Sequence, residues 1–144
     1  MHIIVPNEGT TLIRFGMSPE QVETHLGAPI SVRRHLKSEQ REYRDETKVT
    51  YSLEGEAREL VFGPPGIVLF DGHNLLEGNN QIEILRAYDD EPMSYFQFVM
   101  FLNIGVSVSG FHNGDRNQES ISIFTKDLFD SKTDLMEPYQ AGEM

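Results

Sequence analysis

Two hydrophobic periods take turns along this chain, a short helical one and an alternation of strand type. The helical period is clearest in GMSPEQVETHLGAP, residues 16–29. Ser18 suits an N-cap, Pro19 a first helical position, and Gln21 stands where a capping-box side chain reaches back. Met17 and Val22 are spaced as a hydrophobic staple, and Val22 and Leu26 share a face four residues apart. Gly27 supplies a left-handed stop with Pro29 two residues beyond. These signals predict about two turns of helix, too short to be stable alone and so bound to lie on something larger.

A similar pattern returns further on. LLEGNNQIEILRAYDDEP, residues 75–92, aligns with LIRFGMSPEQVETHLGAP, residues 12–29, so that Leu75 meets Leu12 and Pro92 meets Pro29. Asn79 or Asn80 is the capping candidate, with Ile82, Leu85 and the Ile84/Tyr88 pair at helical spacing. The first helix is followed by VTYSL (49–53), a turn at Gly55 and ARELVF. The second is followed by IGVSVSG (104–110), a turn at Asn113-Gly114 and ESISIF. Between the halves, LVFGPPGIVLFDGHNLL reads as two apolar strands around a Pro-Pro-Gly turn, with Asp71-Gly72 as the next turn. The expected fold is therefore α+β in a single domain, residues 1–130. It consists of two similar helix-plus-antiparallel-strand units, about 1–66 and 67–130, that share an antiparallel sheet with helices on one face. Residues 131–144 lose the alternation and are expected to form a loosely held tail. SYFQFVMFLNIG, residues 94–105, is the densest apolar stretch and is expected to supply buried central strands, with Phe96, Phe98 and Met100 on one face.

Composition narrows the functional classes. A chain of 144 residues with 38% apolar content can build one real core. No run approaches the roughly 18 apolar residues of a membrane span, and MHIIVPNEGT has neither a basic start nor a cleavage pattern. The expected location is the cytoplasm, with which zero cysteines agree. The net charge of −11 is uneven: residues 1–70 carry 8 Lys/Arg against 10 Asp/Glu, and residues 71–144 carry 4 against 13. Such a field repels a phosphate backbone and attracts a basic protein, so nucleic acid is not expected as a partner.

Gly16-Met17-Ser18, Val22, Leu26-Gly27 and Pro29, followed by Tyr51 in a strand, carry a resemblance. The pattern is similar to the repeat of the SmpA/OmlA outer-membrane lipoproteins and, twice over, of the β-lactamase inhibitor proteins. That resemblance implies a curved sheet whose open face grips a partner protein. The given residues lack the cysteine pair of the secreted inhibitors, and no lipoprotein or secretory signal is expected. Intracellular immunity proteins against bacterial toxins are another role that such small acidic scaffolds fill.

Strand parity points to a candidate contact face. Thr50 and Ser52 oppose Val49, Tyr51 and Leu53, while Ser107 and Ser109 oppose Ile104, Val106 and Val108. Ser120 and Ser122 likewise oppose Ile121 and Ile123, giving a floor of small hydroxyls open to a partner. Asp89, Asp90 and Glu91 would add long-range attraction at a helix end. Catalytic, cofactor and metal residues are not expected. The five histidines, at 2, 25, 35, 73 and 112, have no ligand spacing, and the prolines of FGPPG remove the donors of a phosphate loop. The run RRHLKSEQREYRDETK, 33–48, mixes six basic with four acidic residues and reads as a solvated connection. The functional expectation is a non-enzymatic protein-binding module, an inhibitor or immunity protein. The alternatives are a ligand-binding or catalytic pocket between helices and sheet, or a homodimer through the same face.

Overall fold

The computed structural model describes residues 1–34, 39–78, 80–110 and 119–140. In chain order the first half contains β1 (His2–Val5), β2 (Gly9–Thr10), α1 (Pro19–Leu26), β3 (Ser31–Arg34), β4 (Gln40–Tyr43), β5 (Thr47–Tyr51) and β6 (Ala57–Phe62). The second half contains β7 (Val68–Phe70), β8 (His73–Asn74), α2 (Gln81–Arg86), β9 (Met93–Tyr95), β10 (Phe98–Phe101), β11 (Val106–Ser109) and β12 (Ser120–Phe124). A 3-10 helix, Asp130–Leu135, and β13 (Glu137–Pro138) follow.

The α+β expectation is overturned. Among the described residues the chain is mostly β, with 13 strands in two sheets and three short helices that make up 16%. A nine-stranded sheet runs β13-β9-β10-β11-β12-β6-β5-β4-β3, and a four-stranded one runs β2-β1-β7-β8. The layer assigned to helices is therefore largely a second sheet. The physical reason lies in HIIV and VLF, strings rich in β-branched and aromatic residues and too short for helix, which pair in parallel as His2↔Val68 and Ile3↔Leu69. In each half a hairpin and a short helix precede four sequential strands, and the two series meet where β6 pairs antiparallel with β12.

The local punctuation of α1 is as its residues dictate. The Ser18 hydroxyl accepts from Gln21 N–H, the Gln21 side chain accepts from Ser18 N–H, and Gly27 takes φ +80. Val22 is fully buried whereas Leu26 packs against the core only partly covered, so Val22 is the main seal of the helix on the core. In α2 Leu85 does the same, and Asn80 makes no side-chain cap. The Asn79 alternative, the Asn113-Gly114 turn, His35 and His112 lie outside the described residues.

One face of the large sheet, with Tyr51, Leu60, Phe62, Phe101, Val108 and Ile121, forms the main core against Ile4, Val22, Val68, Phe70 and Leu85. The opposite face carries a second, smaller cluster of Met100, Phe124 and Met136, packed by Met93, Tyr95, Leu128 and Phe129. Residues 131–140 are thus not a loose tail. Met136 is buried, Glu137 and Pro138 pair with β9, and Tyr139 N–H donates to the Pro92 carbonyl at 3.0 Å. The apolar anchors that hold this segment, the adjacent pair Leu128-Phe129 and then Met136, are too few to show a period.

The charged run 33–48 is also corrected, because its described parts hold half of the edge strand β3, all of β4 and the start of β5, and include a buried polar link. Tyr51 donates its hydroxyl to Glu42 Oε1 at 2.7 Å, and Arg44 Nη1 approaches the same oxygen at 3.2 Å. Arg44 also donates from Nε and Nη2 to the Gly27 carbonyl at 3.1 and 2.8 Å, tying the end of α1 to the sheet. Burial first, and then the bond to Glu42, push the Tyr51 phenol well above its ordinary range.

Glu42→Ala leaves Arg44 and Tyr51 without their buried acceptor and is expected to cost about 3–5 kcal/mol in urea melts. A loss under about 1 kcal/mol would show that the link is dispensable. His2 supplies a pH test. Its ring lies 4.6 Å from Phe62 and its Nδ1 3.3 Å from Thr10 Oγ1, and burial, followed by the nearby positive amino terminus, lowers its pKa from 6.5 to about 4. Between these values the unfolded chain binds the extra proton, so stability is complete above pH 6.5 and declines as pH falls toward 4. His2→Gln should flatten that part of the stability–pH curve, measured by melts at closely spaced pH.

Candidate functional site

The face opposite the main core carries a hollow of about 260 Å³. Its floor is made by four serines in cross-strand register, Ser107↔Ser122 and Ser109↔Ser120. Parity explains their convergence: Val106, Val108, Ile121 and Ile123 take the core side, so the intervening hydroxyls must take the other. Phe98 and Met100 stand opposite Ser109 and Ser107 and form one wall with Tyr95 and Phe129. Lys48, Glu59 and Val61, from β5 and β6, close the other side.

Hydrogen bonds fix most of the polar atoms. Ser122 donates to Glu59 Oε2 at 2.9 Å, and Thr50 donates to Glu59 Oε1 at 3.5 Å. The Ser109 and Ser120 hydroxyls share a bond of 2.8 Å. Ser107 is different: it is 3% exposed, lines the hollow, and is held by strand pairing on both sides, but its hydroxyl has no hydrogen-bond partner among the described residues. No fully buried polar side-chain atom lacks a partner among those residues, so this hydroxyl reaches the open space of the hollow.

The aromatic lip continues onto the surface. Tyr95 pairs in register with Phe98, leaving Phe96 and Gln97 as the two-residue turn between β9 and β10. Phe96 takes φ +53, is 78% exposed, and packs edge-on against Tyr95 with ring centroids 4.6 Å apart. The expected burial of Phe96 is therefore corrected. It sits in a turn, which breaks the alternation that would have placed it with Phe98 and Met100.

The expected contact residues separate into two groups. Thr50, Ser107, Ser109, Ser120 and Ser122 share this face, but Thr50, Ser107 and Ser122 are buried, so the floor is recessed and not openly accessible. Ser52 lies beyond β5, where its hydroxyl accepts from Glu56 N–H at 3.3 Å in a turn. Asp89 is buried and structural, accepting from Glu91 N–H, Asn103 N–H and Asn103 Nδ2 at 3.0–3.1 Å. Asp90 and Glu91 are exposed before β9, beside Arg86, Pro138 and Tyr139. Lys48, Glu59, Tyr95 and Phe129 were not anticipated. The first three could have been found by extending the serine parity across the registers of β5, β6 and β9.

A wider and more open hollow of about 800 Å³ lies between α1 and the edge strands, lined by Glu20, Glu23, Arg34 and Glu42. Its one buried carboxylate, Glu42, is already engaged by Tyr51 and Arg44. Comparison with protein-family models, curated proteins and solved structures finds no match to this chain. Among the described residues no helix is long and apolar enough to cross a membrane.

Phe129 joins the C-terminal segment to the sheet, its ring 4.8 Å from Phe124 and 6.0 Å from Tyr95. Phe129→Ala is expected to destabilise the protein by about 2–4 kcal/mol and to speed amide exchange in β9 and β13 more than in β5. Uniform exchange in all strands would place the segment's hold elsewhere.

Proposed function

We propose that this chain is a non-enzymatic protein-binding module, an inhibitor or immunity protein that blocks a partner toxin or enzyme through the serine-floored hollow and its aromatic lip. The observation that carries the reading is Phe96. A bulky aromatic at φ +53 in a turn is strained where Asn or Gly would be relaxed, and at 78% exposure it returns little burial to its own fold. Aromatic side chains beside a recessed, well-packed pocket are the usual carriers of interface affinity. The half-exposed Phe98 extends the same surface.

Charge supports a basic partner. The net charge of −11 is concentrated in the second half, which also supplies the lip. Asp90 and Glu91 stand exposed at the opposite end of β9 from Tyr95 and add to the steering field. The inhibitor form of the proposal draws on the resemblance to the β-lactamase inhibitor proteins and the SmpA/OmlA repeat, together with the small acidic character of the chain.

Phe96→Asn separates folding from binding. It should raise stability by about 0.5–1 kcal/mol through relief of the turn, and weaken capture of the partner by at least about tenfold. The measurement pairs denaturant melts with pull-down from the native host and kinetics on the captured protein, in which salt should act chiefly on association. A captured partner indifferent to Phe96→Asn and to Phe98→Ala, or turnover of a small molecule by the purified chain, would overturn the proposal.

A further inference from the structure

The hollow has a divided lining. Phe98, Met100 and Phe129 give one side an apolar surface, and Ser107, Ser109 and Ser120 give the floor hydroxyls. At about 260 Å³ it falls below the roughly 300–1,000 Å³ of ordinary ligand clefts and admits about one ring. Lys48 and Glu59 place one charge of each sign at the same rim. A cation entering there meets Lys48, an anion meets Glu59, and a sugar turns its hydroxyls toward Phe98, Met100 and Phe129. A planar apolar body with a single polar tip suits both the apolar wall and the hydroxyl floor. The polar tip also has a place to go: the Ser107 hydroxyl, on a residue 3% exposed that lines the hollow, has no partner among the described residues and can donate or accept.

We propose that the hollow is a socket for the phenol side chain of a tyrosine on the partner protein. The proposal rests on the reading of this face as the docking surface. The tyrosine ring packs against Phe98, Met100 and Phe129 while its hydroxyl bonds to Ser107, and Phe96 contacts the partner's surface around the inserted residue. Such an anchor is amphipathic in the same sense as the pocket, and its ring has few torsions to immobilise on binding.

The test titrates N-acetyl-tyrosinamide, N-acetyl-phenylalaninamide and N-acetyl-argininamide into the full chain and follows backbone amide shifts by NMR. The tyrosine amide should shift the amides of Ser107, Ser109 and Ser120 at millimolar concentration, and the phenylalanine amide should bind about fivefold more weakly, the worth of one hydrogen bond. Ser107→Ala should weaken the tyrosine amide to the level of the phenylalanine amide and leave the latter unchanged. Ser120→Phe, a substitution at a partly exposed position, should fill the hollow and abolish both responses. Equal binding of the two aromatic amides, preference for the arginine amide, or no shifts at these strands up to the solubility limit would overturn the socket. In that event the docking reading is still decided by Phe96→Asn. Conversely, a partner indifferent to Phe96→Asn, with the tyrosine amide still seated on Ser107, would leave a phenol site and remove its docking role.

Discussion

Both surfaces of this protein are set by the antiparallel pairing of β6 with β12. In that register Leu60 faces Ile123 and Phe62 faces Ile121, while Val61 faces Ser122 and Glu59 faces Phe124. Side chains alternate strictly along paired strands, so placing the first set in the core places the second on the opposite face. A slip of one residue would bury Glu59 and Ser122 among Tyr51 and Phe101, a cost that no local rearrangement offsets. The strands added on either side inherit this parity, and with it the division between main core and hollow.

A large sheet must cover two faces. The first is covered in the ordinary way by the small sheet and two helices. The second is covered only in part, by the returning segment that brings Leu128, Phe129 and Met136 over Met100 and Phe124. Where that cover stops, the serines begin. The hollow is thus the boundary of a second apolar cluster, and its wall of aromatic side chains exists because the cluster ends there. The strained Phe96 lies just outside that boundary, where its ring meets Tyr95 edge-on and is otherwise largely exposed.

The features legible in the sequence were those whose physics is local. Ser18, Gln21 and Gly27 mark α1 because caps depend on neighbours within four residues, and Asp71-Gly72 marks a hairpin because φ +50 and +79 suit those residues. The facing of Ser107, Ser109, Ser120 and Ser122 followed from period two. What was missed depends on distant pairing. HIIV gives no sign that it will lie parallel to Val68–Phe70, and that pairing turns an expected helical layer into a sheet. Edge strand β3 and its neighbour β4 hid within a charged run, because a solvated edge strand needs no apolar alternation and the buried position of β4 is Glu42. Likewise Lys48 and Phe129 joined the site through strand order and a returning segment. Asp89 looked like surface acid until its fold placed it under Asn103.

The hollow also straddles a seam. Lys48, Glu59 and Val61 come from the first half of the chain, and the serines and aromatic residues from the second, with β6 and β12 side by side beneath them. Neither half owns the pocket. Each would present a bare strand edge and an incomplete wall, so recognition becomes possible only at the moment the halves join. In such an arrangement the specificity of a binding face is inherited from an internal interface: drift in either half is answerable to the other, because the same strand pair that closes the fold also composes the surface a partner reads.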